Sequence, residues 1–312
     1  MAGKHDQQMK EITEKLEQGV KELFTSEMYT DYLKAMSQFH NYSFNNTVLI
    51  AMQKPDATLV AGYQAWQKKF NRHVKRGEKA IQIIAPVPIR EKQEMEKIDP
   101  VTQEPVLRPD GQPETEELEV VIPRFRITSV FDVSQTDGDP LPELATPELM
   151  GSVENFTQFM KAIKAVSPVS VRFDEIESEA KGYYDNEKKE IVIQEGMSES
   201  QTMKTAVHEV THAKLHDREL MEELGEEKGQ MTREVEAESV AYTVCQYFGL
   251  DTSDYSFPYI AGWSSSMDMK ELRLSMDTIR KTAGEFIEDM TKVLQELTQN
   301  QPEKEHLEEN DL

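Results

Sequence analysis

Apolar residues recur three and four positions apart through Ile12, Leu16, Val20 and Leu23, which predicts an amphipathic helix from His5 to Phe24. Similar spacing predicts helices over Met28–Phe39 and Phe44–Gln53, the latter stopped before Pro55. Tyr63–Phe70 forms a shorter helix carrying Trp66, Gly77 marks a turn, and Ala80–Ile84 has strand character. Strand character returns from Leu118 to Val133, where Arg124 and Arg126 alternate with Phe125 and Ile127. Between these strands, Glu91–Glu117 is acidic, contains four prolines and lacks periodicity, so a hairpin bridged by a long loop is expected.

The turn-rich run Thr136–Pro142 suggests a domain boundary. Beyond it the pattern predicts a helix over Val153–Val166, then strands at Val169–Phe173, Gly182–Asp185 and Glu190–Gln194. Helices follow over Ser200–His216, Met231–Phe248 and Asp268–Leu297. The fold class is therefore α+β in two domains: residues 1–135, a linker at 136–150, a second domain at 151–298, and an acidic, disordered tail at 299–312.

Charge alters this picture locally. The chain of 312 residues carries a net charge of -23, which argues against nucleic acid as a partner for the molecule as a whole. Between His40 and Arg90, however, eight basic residues face only two acidic ones. Such asymmetry suits a local anion-binding surface, or else a solvated helical face. Single-strand recognition needs cations along the phosphates and aromatic faces for the bases. The candidates are Trp66, Lys68, Lys69, Arg72, Lys75, Arg76 and Lys79, with Arg124 and Arg126 on the returning strand. Trp66 and Phe70 also have the spacing of an ordinary core pair, so the basic residues carry more of that reading. The one cysteine, Cys245, excludes an intramolecular disulfide and a cysteine-based zinc cluster. With no signal peptide visible and no apolar run of ~18 residues, a cytoplasmic protein without membrane partners is expected.

The chemistry concentrates at His208-Glu209-Val210-Thr211-His212, an HExxH motif on a helix. Histidines at i and i+4 project from one face, one turn apart, within reach of a single metal ion. Glu209 stands beside them as general base toward the attacking water. His216, one further turn along, is expected at the surface. A strand such as Glu190–Gln194 at the sheet edge would pair with an extended substrate.

A catalytic shell of this kind usually has a third protein ligand. Each residue advances a helix by about 100°, which places Glu234 and Glu238 on one stripe with Ala241 and Cys245. Glu236 falls on the opposite side. Glu234 is thus the expected third ligand, and Glu238 the partner that fixes a ligand histidine's tautomer. One divalent ion is implied, zinc first, with manganese admitted by the carboxylate ligand.

Glu234-Val-Glu-Ala-Glu238 after HExxH resembles the gluzincin-type peptidases, which implies a zincin-like second domain. More narrowly, Ala241-Tyr-Thr-Val-Cys-Gln-Tyr-Phe-Gly-Leu and Tyr259-Ile-Ala-Gly-Trp263 resemble the ArdC-type antirestriction proteins of plasmids and integrative elements. Their N-terminal, single-stranded-DNA-binding domain is matched by Asn41-Tyr-Ser-Phe-Asn-Asn46, Lys54-Pro-Asp-Ala-Thr58, Gly62-Tyr-Gln-Ala-Trp66 and Val74-Lys-Arg-Gly-Glu-Lys79. The resemblance implies a mobile-element protein that protects incoming single-stranded DNA, counters restriction and carries a metal-dependent peptidase domain. A regulatory protease acting on a repressor or host protein is the alternative, as is a non-catalytic DNA-protection protein. The acidic segment 91–117 has no counterpart in the resemblance.

Overall fold

The computed structural model describes residues 2–99, 104–141, 153–250 and 257–299. The chain opens with three helices, α1 (Ala2–Leu23), α2 (Ser26–Gln38) and α3 (Phe44–Gln53). Ser43 caps α3 by accepting the Asn46 amide. Then come β1 (Val60–Gly62), α4 (Tyr63–Phe70), β2 (Arg72–Val74), β3 (Ile81–Glu96), β4 (Thr115–Asp132) and β5 (Thr136–Gly138). Strands β1, β4 and β3 form an antiparallel sheet in that order, and β2 pairs with β5.

The loop expected at 91–117 is shorter, because its two ends belong to the sheet. Strands β3 and β4 stay in register from Ile81↔Val130 out to Glu96↔Thr115, so only 97–114 lies beyond the ladder. Opposite charges support this arm: Arg90 pairs with Glu119 at 3.4 Å, and Lys92 with Glu117 at 3.1 Å. Cross-strand ion pairs leave no apolar alternation, which is why periodicity misses the arm. Pro86 and Pro88 are tolerated because β3 is an edge strand.

The expected linker also begins later than residue 136, since Thr136–Gly138 is β5, paired residue by residue with Arg72–Val74. The rest of that segment (142–150) and the tail from 300 onward lie outside the described residues.

The C-terminal part runs α5 (Val153–Val166), β6 (Ser170–Asp174), β7 (Gly182–Asp185), β8 (Glu190–Gln194), α6 (Glu199–Leu215), α7 (Arg218–Leu224), α8 (Gln230–Tyr247), α9 (Ile260–Ser265) and α10 (Met269–Gln299). Its sheet has the order β6-β8-β7, with β6 parallel and β7 antiparallel to β8. The strand Glu190–Gln194 is therefore central, not an edge, and the strand with a free side near α6 is β7. Burial explains the order, because Ile191, Val192 and Ile193 are all buried and need cover on both faces.

The two halves share a core. Leu16, Val20, Leu33 and Met36 from α1 and α2 pack in one continuous cluster with Val240, Val244, Phe257 and Met276. Tyr29 Oη lies 2.8 Å from Ser239 Oγ, and the Phe24 and Trp263 rings meet edge-on at 5.9 Å. A smaller core joins Ala35, Phe39 and Ile50 to Ile81, Ile83 and Val130 of the first sheet. Asn46 ties these parts together by bonding both backbone groups of Ile84, at 2.9 Å each. The motif Asn41–Asn46 thus serves the fold. Among the described residues no helix is long and apolar enough to cross a membrane.

Candidate metal centre

Helix α6 starts at Ser198, whose hydroxyl accepts the Gln201 amide, and runs buried between the second sheet and α8. His208 and His212 leave it one turn apart, with their Nε2 atoms 3.1 Å from each other. From α8, Glu234 Oε2 approaches His208 Nε2 at 3.5 Å and His212 Nε2 at 3.6 Å. One donor atom from each of the three residues falls within 4.8 Å of the others, the spacing at which a single ion can be held.

The hydrogen bonds behind the histidines agree with that use. His208 Nδ1 stands 3.1 Å from Glu238 Oε2, so the ring donates there and its Nε2, facing Glu234, is the nitrogen a metal would take. His212 Nδ1 lies 3.0 Å from His216 Nδ1, and His216 Nε2 lies 2.9 Å from Glu236 Oε2. Only one tautomer chain satisfies this series: His212 donates to His216, which donates to Glu236. His212 Nε2 is then also free to ligate. The donor set therefore fits a divalent cation.

His216, expected at the surface, is buried. Glu236 is buried as well, although it does point away from the candidate ligands, and it accepts from Lys228 Nζ at 3.1 Å and Ser275 Oγ at 2.5 Å. Burial pushes the His216 pKa down, whereas Glu236 is held below its usual value despite burial by His216, Lys228 and Ser275. Helix α8 is thus buried on the Glu236 side too, while Glu234 is half-exposed toward the site. The expected stripe of Ala241 and Cys245 is buried, but it does not draw Glu234 inward with it. A helix packed on all sides does not sort its carboxylates by hydrophobicity; their partners do.

Glu209 is buried beside the histidines and receives the backbone N–H of Tyr184 from β7; burial raises its pKa. Gly182 keeps this side open, since a β-carbon there would come within 2.7 Å of Thr205 Cγ2 and 3.1 Å of Glu209 Cγ. The site opens into a cavity of about 720 Å³ lined by Gly182, Tyr183 and Tyr184 of β7 and by Thr205, Arg233, Glu234 and Glu238.

Burial works to lower the His208 pKa, but Glu234 and Glu238 lift it to about 10. In the metal-free chain this ion pairing stabilises the fold fully below the ordinary histidine pKa of about 6.5, and is lost as pH rises through about 10. An ion must displace that proton. Binding at pH 8 is expected to release about one proton from His208, readable by calorimetric titration in buffers of different protonation enthalpy. No release at pH 8 would contradict the arrangement.

The nucleic-acid candidates divide. Trp66 is fully buried and donates its indole N–H to Phe131 O at 2.8 Å, so it offers no face to a base and belongs to the core. Arg72 is spent on the β2–β5 pair, bonding Thr136 Oγ1 at 2.8 Å, Thr136 O, Gly138 O and Asp139 O. Lys75 is partly engaged, with Ser134 O at 3.0 Å and Asp137 at 3.6 Å. Lys68, Lys69, Arg76, Lys79, Arg124 and Arg126 are exposed, with Glu91 3.8 Å from Arg124. Tyr63 and Phe125, in the same part of the chain, are exposed aromatics. Phe125 sits between the two arginines in sequence, and the alternation in that segment was the signal for it.

A three-stranded sheet backed by an HExxH helix, with a glutamate from the next long helix, defines a zincin-like domain. Comparison with known families gives the same class: residues 134–258 match the model described as "Putative metallopeptidase family", DUF6782. Residues 4–131 match the N-terminal domain of anti-restriction factor ArdC, so the two matched models follow one another along the chain. It is 28% identical over 319 residues to the uncharacterized protein pXO2-81 of Bacillus anthracis, covering 93% of this chain and 52% of that one. The chain thus spans about half the length of that curated relative. Two solved structures are also similar, both of antirestriction ArdC from plasmid R388. The metal-free form has 20% identity, TM-score 0.49, and covers 82% of this chain and 86% of that one. The Mn(II)-bound form has 18% identity, TM-score 0.46, and covers 81% and 85%.

Proposed function

We propose that this chain is a single-stranded-DNA-binding antirestriction protein whose C-terminal part is a metal-dependent peptidase. The observation that carries the peptidase reading is the convergence of His208, His212 and Glu234, with Glu209 beside them at a substrate-sized cavity. A divalent ion held by those three residues, zinc or manganese, would polarise a peptide carbonyl and acidify water. Glu209 takes the proton of the attacking water and passes it to the leaving amine. Its burial raises its pKa, the direction that suits a carboxylate that takes and then returns a proton. An extended substrate pairs with the free side of β7, the strand that lines the cavity.

DNA binding rests on the exposed cations around α4 and the Gly77 turn, where Gly77 takes φ +93°. Because α1 and α2 are built into the common core, the test uses the full chain. Reversing Lys68, Lys69, Arg76 and Lys79 to Glu is expected to weaken binding to a labelled single strand. It should also lower the slope of log affinity against log salt by up to about 3, four phosphate contacts at about 0.7 each. Fluorescence anisotropy across a salt series reads both. Identical curves for wild type and the quadruple variant would leave these residues as a solvated face.

A further inference from the structure

Arg233 precedes the candidate ligand Glu234 on α8 and lines the same cavity. Its Nε is buried and has no hydrogen-bond partner. Several other charged groups near it are committed, although Glu179 on the cavity wall is exposed and free of ion pairs among the described residues. Glu238 meets His208, Glu234 meets both histidines, and Lys181, across the cavity, bonds Gln201 at 3.0 Å. Lys228 is held by Glu226 and Glu236. No ion pair joins Arg233 to any described carboxylate.

A guanidinium with a dry, unused N–H is a poor structural element, because arginine is ordinarily buried only against an acceptor. Its planar fork of donors matches a carboxylate with two parallel bonds, whereas a neutral carbonyl occupies one of them. Glu234 and Glu238 are engaged by the histidines, and neither Glu179 nor Glu209, which also line the cavity, pairs with Arg233, so an acceptor can arrive with what binds there. We infer that Arg233 is a specificity-determining residue, holding a carboxylate of the bound peptide beside the metal centre. This rests on the peptidase reading. The carboxylate is either an acidic side chain near the scissile bond or the peptide's own C-terminus.

Mercaptoacetyl dipeptides test this without turnover, since their thiolate holds zinc directly. Three probes suffice on the zinc-loaded full chain: mercaptoacetyl-Leu-Gln-amide, mercaptoacetyl-Leu-Glu-amide and mercaptoacetyl-Leu-Gln with a free C-terminus. Affinity is read by isothermal titration. At least one carboxylate-bearing probe is expected to bind about tenfold or more tighter than the neutral amide, and which one identifies the source. R233Q should erase the difference between charged and neutral probes, and R233K should keep only part of it. If all three probes bind wild type equally, or the preference survives R233Q, the role of Arg233 is refuted while the metal centre stands. If no probe binds, the metal centre itself fails, and the inference with it.

Discussion

Glu209→Gln is expected to retain the bound metal and lose hydrolysis by a factor of about 10²–10⁴, the usual contribution of a positioned general base. The substitution keeps the shape of a side chain packed under β7 but removes the carboxylate placed there to accept a proton. The Tyr184 N–H that now meets the carboxylate can still meet the amide oxygen, so the local fold should hold. Cleavage of a mixed-sequence peptide library, read by mass spectrometry, measures activity, and elemental analysis of the same samples measures metal. Equal cleavage by wild type and variant would remove Glu209 from the mechanism. Binding of single-stranded DNA should be unaffected, because the exposed cations belong to the N-terminal part of the chain.

The second large effect separates two neighbouring glutamates. Glu234→Ala should cost most of the metal affinity with only a modest change in the melting temperature of the metal-free chain, since Glu234 is half-exposed and Glu238 still pairs with His208. Glu236→Ala should do the reverse. It strands His216 and Lys228 inside the protein, and breaking a buried charged network by removing one partner costs about 3–5 kcal/mol. In a chain of this size that corresponds to a fall in melting temperature of roughly 10 °C. Some metal affinity is lost indirectly, because His216 fixes the His212 ring, and outer contacts of this sort are commonly worth about 10- to 100-fold. Differential scanning calorimetry on metal-free protein, followed by zinc titration, distinguishes the two. A large thermal loss in Glu234→Ala with none in Glu236→Ala would invert the assignment.

The candidate ligand set was legible because it obeys helical geometry. His208 and His212 are one turn apart, and about 100° per residue separates Glu234 from Glu236. The reason offered for Glu234 did not survive. The stripe of Ala241 and Cys245 is buried as its spacing implies, but α8 is packed on the Glu236 side as well, and Glu234 reaches the site from a half-exposed position. His216 and Glu236 escaped for a related reason. Two polar residues that satisfy one another across helices leave no trace in a hydrophobic pattern, since each alone looks like a surface group.

Helix positions were legible from amphipathicity, and the α+β class with them. What each helix packs against was not. The apolar faces of α1 and α2 predicted burial correctly, but their partners on α8 and α10 lie more than 200 residues away. The β3–β4 arm was hidden because its ladder is decorated with cross-strand ion pairs rather than alternating apolar residues. Trp66 illustrates the converse error. Aromatic and basic residues interleaved on α4 suggested base stacking, yet the indole is core, while Tyr63, three residues earlier, is the exposed ring.

Metal content of the purified full chain tests the central claim most directly. After dialysis against zinc and removal of excess, elemental analysis should find about one ion per chain in wild type, and almost none in His208→Ala or His212→Ala. Wild type without stoichiometric metal, or either variant retaining it, would contradict the assignment of this site as a metal centre.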